Sequence, residues 1–135
     1  MKKLLSIRYT AAAFNFALFI LRVGAGSLIM MHGYNKLIHF QESKRTFMNF
    51  MGLGSAVSLG MVTFAEFFCG ILVIIGLLTR LATIPIMIAM SVVIIVKSNM
   101  DFFGKAEHPT LFFIVFFAIL ILGPGKASVD GVISK

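Results

Sequence analysis

Two charged residues stand inside stretches that are otherwise apolar enough to span a membrane: Arg22 within Ala11 to Ile38, and Glu66 within Leu53 to Leu78. An ionised side chain at mid-bilayer costs roughly 2.5 to 3.5 kcal/mol on insertion scales, so one that persists there normally has a partner or a task. Arg22 lies about eleven residues into its stretch and Glu66 about twelve before the end of its own. Antiparallel packing then predicts similar depth and a salt bridge. Such a pair supports two kinds of chemistry. It can simply lock two helices in register, as buried pairs often do. It can also line a cavity in which Glu66 exchanges a proton or Arg22 holds a polar head group. Neighbouring charges alone favour the first role.

Asn15, Gly26 and Gly33 share a helical face with Arg22, and Gly60, Gly70 and Gly76 repeat the habit around Glu66. Small residues there predict close helix contact and a face turned into the bundle. His32, Gly33, Tyr34, Asn35 and Lys36 form a polar cluster near the end of the first stretch, with His39 seven residues beyond His32. A metal or haem would need ligands converging from separate elements. The other histidine, His108, stands beside Glu107 and Asp101, and no spacing demands that these groups meet. Interfacial histidines without a metal are the expectation. Cys69 is the single cysteine, which excludes an intrachain disulfide and a CxxC redox pair and reads as a small buried apolar residue. No nucleotide loop, nucleophile triad or glycosidase-like carboxylate pair is present, so no residue is expected to be catalytic by itself. The expected intramembrane polar site comprises Arg22, Glu66, His32, Lys36 and Asn15.

The elements that must position these groups belong to a bilayer. In 135 residues, 59% are hydrophobic and 13% charged, with a mean hydropathy of +1.01, more apolar side chain than a water-soluble domain buries. At about 20 apolar residues per crossing, the length allows about four spanning helices and no soluble catalytic domain. The fold class is therefore all-α, an integral membrane four-helix bundle with short interfacial helices. One domain over 1–135 is expected, with spans at about 11–38, 53–78, 81–97 and 104–123. The net charge of +7 sits in residues flanking apolar segments, which favours anionic head groups over nucleic acid.

Leu4, Leu5 and Ile7 among Lys2, Lys3 and Arg8 suggest a short surface helix. The opening faintly imitates a secretory signal, but Arg8 interrupts it too early for cleavage to be expected. Phe40, Phe47, Phe50 and Met51 recur near helical spacing opposite Glu42, Lys44 and Arg45, the pattern of an interfacial helix. Gly52 and Gly54 precede the second span, and Thr79-Arg80 makes a tight turn into the third, giving an antiparallel hairpin. Pro85 is tolerable in the first turns of that span, which Lys97 closes. The run after the polar stretch from Ser98 to Pro109 is only Thr110 to Leu122, about 20 Å of helix. That helix either starts nearer Phe102, with Pro109 inside it, or has its polar end shielded by its neighbours. Four crossings put both termini on one side with Lys2, Lys3, Arg8, Arg80, Lys126 and Lys135, against Lys36, Lys44, Arg45, Lys97 and Lys105. The positive-inside rule prefers cytoplasmic termini by one residue.

Read in order, the chain resembles the DoxX family of small bacterial membrane proteins. The resemblance rests on Arg22 with Gly24 and Gly26, His32-Gly33 followed by Lys36-Leu37, Glu66 followed by Gly70, Gly76, Thr79 and Arg80, and Gly123-Pro124-Gly125 followed by Ser128 and Asp130. It covers about residues 15 to 132 and departs from the usual pattern over Met100 to Pro109. It implies a subunit of the bacterial inner membrane, and some relatives are linked to quinol oxidases, thiosulfate:quinone oxidoreductases or oxidative-stress complexes. On this reading the chain assembles with itself or with partner proteins and offers a polar pocket to a quinone or a membrane lipid. Nine methionines and fifteen phenylalanines supply adaptable lining for an isoprenoid tail, or ordinary packing and lipid-facing surface. Without a redox centre of its own, the chain would take electrons from a partner. The rival readings are an assembly protein without ligand, whose charged pair only fixes the bundle, and an oligomeric transporter of a small solute.

Overall fold

A computed structural model describes residues 1–47, 52–97 and 99–134 of the chain. Among these the secondary structure is helical, without strands. Helix α1 spans Ala11–Ile38, α2 Phe40–Thr46, α3 Ser55–Ile75, α4 Thr79–Val92, α5 Glu107–Leu122 and α6 Val129–Ile133, and α4 continues through a π-helical turn over Val93–Lys97. Three helices are long and apolar enough to cross a membrane: Ala11–Ile38, Ser55–Ile75 and Thr79–Lys97. α5 is apolar but shorter, about 24 Å at 1.5 Å per residue.

The helices pack in sequence, α1 on α3, α3 on α4 and α4 on α5, and α5 also touches α1. The shared core contains Ile29, Val62, Cys69, Val73, Ile86, Met90, Phe116 and Ile119. Large apolar side chains also point outward, Leu81 at 62% exposure and Leu111 at 60%. A water-soluble protein of this size would bury them; a bilayer protein need not.

The α1–α3 contact is set by glycine. A Cβ on Gly33 would lie 2.5 Å from the Phe67 nitrogen, and one on Gly26 2.8 Å from Ile74 Cγ1. Only hydrogen at these positions lets the two backbones approach so closely. Gly60 does not join this contact: a Cβ there would meet nothing within 4 Å. The packing face thus runs Gly26, Gly33 and Gly70, and the expectation for Gly60 is corrected.

The helix ends have local causes. Thr10 caps α1 by accepting a hydrogen bond from the Ala13 N–H at 3.1 Å. α3 stops at Gly76, whose φ of 76° allows its N–H to reach the Val73 carbonyl while the Leu77 N–H reaches that of Leu72. α5 begins at Glu107, which puts Pro109 in the first turn, where a missing N–H costs nothing. The uncertainty over Pro109 thus resolves as a first-turn proline. The N-terminal segment is corrected too: residues 2–5 form turns instead of a surface helix, and Leu4, Leu5 and Ile7 are exposed. The sequence there is too short to support an isolated helix. The interfacial helix is the seven-residue α2, packed on α3. Phe47 packs against the core, while Phe50 and Met51, like Ser98 and Lys135, lie outside the described residues.

Candidate functional site

The expected polar site separates into two clusters, one around Asn15 and Arg22 in the first half of α1 and one near its C-terminal end. Arg22 is 2% exposed. Its guanidinium donates to the Pro124 carbonyl, to that of Ala127 at 2.7 Å and to that of Ile74 at 3.5 Å, and its charge lies 5.8 Å from the centre of the Phe19 ring. Glu66 is not its partner. The glycine contacts set Gly33 beside Glu66 and Gly26 beside Gly70 and Ile74, so Arg22 falls at the end of α3. Eleven residues of α1 separate Arg22 from Gly33, about 16 Å of helix. The predicted salt bridge fails because α1 runs past the end of α3, and depth counted from span ends missed that offset.

Around Arg22 three segments of the chain meet in a hydrogen-bonded cluster. The Asp130 carboxylate accepts the backbone N–H groups of Leu78 and Thr79, each at 2.8 Å, capping the start of α4 from a distant segment. Burial raises the Asp130 carboxyl, but these two N–H groups and the nearby Arg22 charge outweigh it and hold the group below its ordinary value. The Asp130 N–H donates to the Gly76 carbonyl at 2.8 Å. A Cβ on Gly76 would meet Ser128 Cβ at 2.4 Å, so this glycine serves close approach as well as the turn. Asn15 belongs here too, its Oδ1 accepting the Lys126 N–H at 2.8 Å. The guanidinium of Arg22 is occupied by carbonyls of its own chain, which makes it a fastening for the C-terminal segment.

At the other end, Lys36 Nζ donates to Glu66 Oε2 at 2.5 Å. This is the one ion pair among the described residues. The Glu66 side chain is 3% exposed and that of Lys36 28%, so the carboxylate is the deep partner and the ammonium reaches it from the mouth of a cavity of about 610 Å³. Ile29, Val62, Met90 and Phe112 give this cavity an apolar wall, and His32, Lys97, Lys105 and His108 join the pair as its polar groups. The His32 ring stands edge-on to Phe112, centroids 5.8 Å apart. The π-helical turn carries Val93 and Lys97 into the lining. Just beyond it Asn99 and Met100 hold φ of 49° and 61°, a left-handed conformation that costs non-glycine residues energy and often marks a functional loop.

Of the five residues expected in one site, the structure gathers Glu66, Lys36 and His32 at the cavity and places Arg22 and Asn15 against the C-terminal segment. Lys97, Lys105 and His108 were not among the expected site residues. The available signal was topological, since span counting puts both lysines on the side of Lys36. Among the described residues no three His, Cys, Asp or Glu side chains come together to hold a metal. The arrangement suits binding and proton exchange: a deep carboxylate paired to an ammonium, with imidazoles beside an apolar wall.

No curated protein and no solved structure gives a match. A model of the DoxX family matches residues 17–99, a stretch that contains Arg22, the glycine contact, Lys36, Glu66 and the hairpin turn at Gly76 but ends before Lys105, His108 and the Gly123-Pro124-Gly125 close. With three helices long and apolar enough to cross a membrane and a family model matching more than half its length, the chain belongs to the DoxX family.

Proposed function

We propose that this chain is a small subunit of the bacterial inner membrane, with both termini cytoplasmic, that holds the polar head of a quinone or lipid in the cavity around Lys36, Glu66 and His32. The observation that carries this reading is the Lys36–Glu66 pair at 2.5 Å set in the wall of a cavity of about 610 Å³. A pair needed only for register has no use for an adjoining cavity with two histidines at its polar side. Ligand pockets characteristically combine a mostly apolar wall with a few convergent polar groups, and volumes of roughly 300 to 1,000 Å³ are usual. Glu66 and His32 are the groups placed to exchange protons with a bound head group, and any electrons would come from a partner protein. Arg22, engaged by backbone carbonyls, has no part in the site.

The test removes both charges together. Replacing a buried ion pair by apolar residues is often neutral for stability, so the double variant Lys36→Met/Glu66→Leu should unfold at a temperature close to wild type. Native mass spectrometry from mild detergent should find a quinone or lipid retained by the wild type and lost from the variant. Equal retention by the two proteins, or none by either, would sink the reading and favour an assembly protein whose ion pair only fixes register.

A further inference from the structure

We infer that the cavity takes the phosphate-bearing head group of an acidic phospholipid, with one acyl chain leaving sideways through the apolar groove between α3 and α4. This rests on the proposed head-group site and names its ligand. The first observation is charge. Lys36, Lys97 and Lys105 line the cavity against the single carboxylate of Glu66, and that carboxylate is already engaged by Lys36. Lys97 and Lys105 remain without an ion-pair partner among the described residues. Asp101, the nearest acidic residue in sequence between them, accepts the backbone N–H of Lys105 at 3.4 Å, and neither it nor Glu107 lines the cavity. Two ammonium groups and two imidazoles lining one open cavity match an anion; a neutral quinone ring offers them no counter-charge. Basic pockets between membrane helices characteristically hold anionic head groups.

The second observation is the way out. A groove of about 240 Å³ adjoins the cavity, and Phe47 and Val62 line both. Its other walls include Met61, Ala65, Pro85 and Ala89. Ala65 on α3 and Ala89 on α4, both buried, are short enough to leave the space open. Met61 at 51% and Ile88 at 57% exposure flank its outer side, where a bilayer would lie. A cavity carrying convergent cationic groups, joined to an apolar lateral groove, is the shape of one amphiphile, head inward and chain toward the lipid, with the Phe47 side chain at the junction.

The purified full chain in mild detergent, offered palmitoyl-oleoyl phosphatidylglycerol, phosphatidylcholine with the same chains, decylubiquinone or inorganic phosphate, tests this by native mass spectrometry. Phosphatidylglycerol should be retained over phosphatidylcholine by about tenfold, a preference that Lys97→Gln with Lys105→Gln should abolish, given the usual strength of lysine–acidic lipid attraction. Both lysines are exposed, so the fold should tolerate their loss. Ala89→Leu, which fills the groove, should lower phosphatidylglycerol retention, and Met61→Trp at the exposed rim should do the same without entering the core. Equal retention of the two phospholipids overturns the inference. So does displacement of phosphatidylglycerol by inorganic phosphate at equal concentration, which would leave the groove no part in binding. Decylubiquinone retained in preference to either lipid overturns it while leaving the broader head-group site standing. Retention of no probe ends both.

Discussion

At the scale of single residues, Arg22 has a purely structural environment and one consequence is measurable. Its guanidinium satisfies the carbonyls of Pro124 and Ala127 and reaches that of Ile74, and these acceptors have no substitute donor if the side chain is shortened. Arg22→Leu should cost about 3 kcal/mol, the range for losing hydrogen bonds to a charged group and stranding their acceptors. Hydrogen exchange should show the segment after Gly123 losing protection, and Arg22→Lys should not restore it, because one ammonium cannot span carbonyls arranged for a planar fork. Asp130 gives a pH signature. Its carboxyl is held below the ordinary 3.8, so its contribution is complete above that value and is lost as the pH falls through the lowered one. Asp130→Asn should therefore lower stability by about 1 kcal/mol at neutral pH, with the gap to wild type closing as the pH falls below 3.8. A gap that stays constant down to pH 2 would remove the carboxylate from the account.

At the scale of helices, the α1–α3 contact makes a sharp comparison between glycines that look alike in sequence. Gly33→Ala places a methyl 2.5 Å from the Phe67 nitrogen, and the helices must separate to admit it. Overpacking of this kind costs about 1 to 3 kcal/mol. Gly60→Ala meets open space and should be neutral or stabilising by up to about 1 kcal/mol, as alanine outranks glycine in a helix interior. Thermal unfolding in one detergent should put Gly33→Ala below wild type and Gly60→Ala level with it or above. The helices themselves were legible in the sequence because apolar runs bounded by Gly76, Arg80 and Gly123 leave little choice of element. Their mutual register was not. Gly33 and Gly60 present the same local signal, and only the offset between α1 and α3 decides which one meets a backbone. The same offset explains why Lys36, assigned to a polar cluster at a helix end, turned out to be the partner of Glu66.

At the scale of the whole molecule, the two polar clusters stand at different levels of α1, one in its first half and one near its C-terminal end, and should behave as independent systems. Sequence depth suggested one central pair joining the first two long helices; the structure instead has a fastening of Arg22 with the C-terminal segment and a separate Lys36–Glu66 pair at the cavity. These arrangements make different demands on a double-mutant cycle. Residues in direct ionic contact show interaction energies of about 0.5 to 3 kcal/mol, whereas distant sites add to within about 0.5 kcal/mol. With about 16 Å of helix between their levels, Arg22→Leu and Glu66→Gln should lower stability additively, and the double variant should unfold with the sum of the two losses. Their functional effects should separate as well: Glu66→Gln frees the Lys36 ammonium and should strengthen retention of an anionic head group while the segment after Gly123 keeps its exchange protection, because the cavity lining shares no residue with the partners of Arg22. A coupling above about 1 kcal/mol, or loss of C-terminal protection in Glu66→Gln, would mean that the two charges meet after all. The fastening and the cavity would then have to be redrawn as one site.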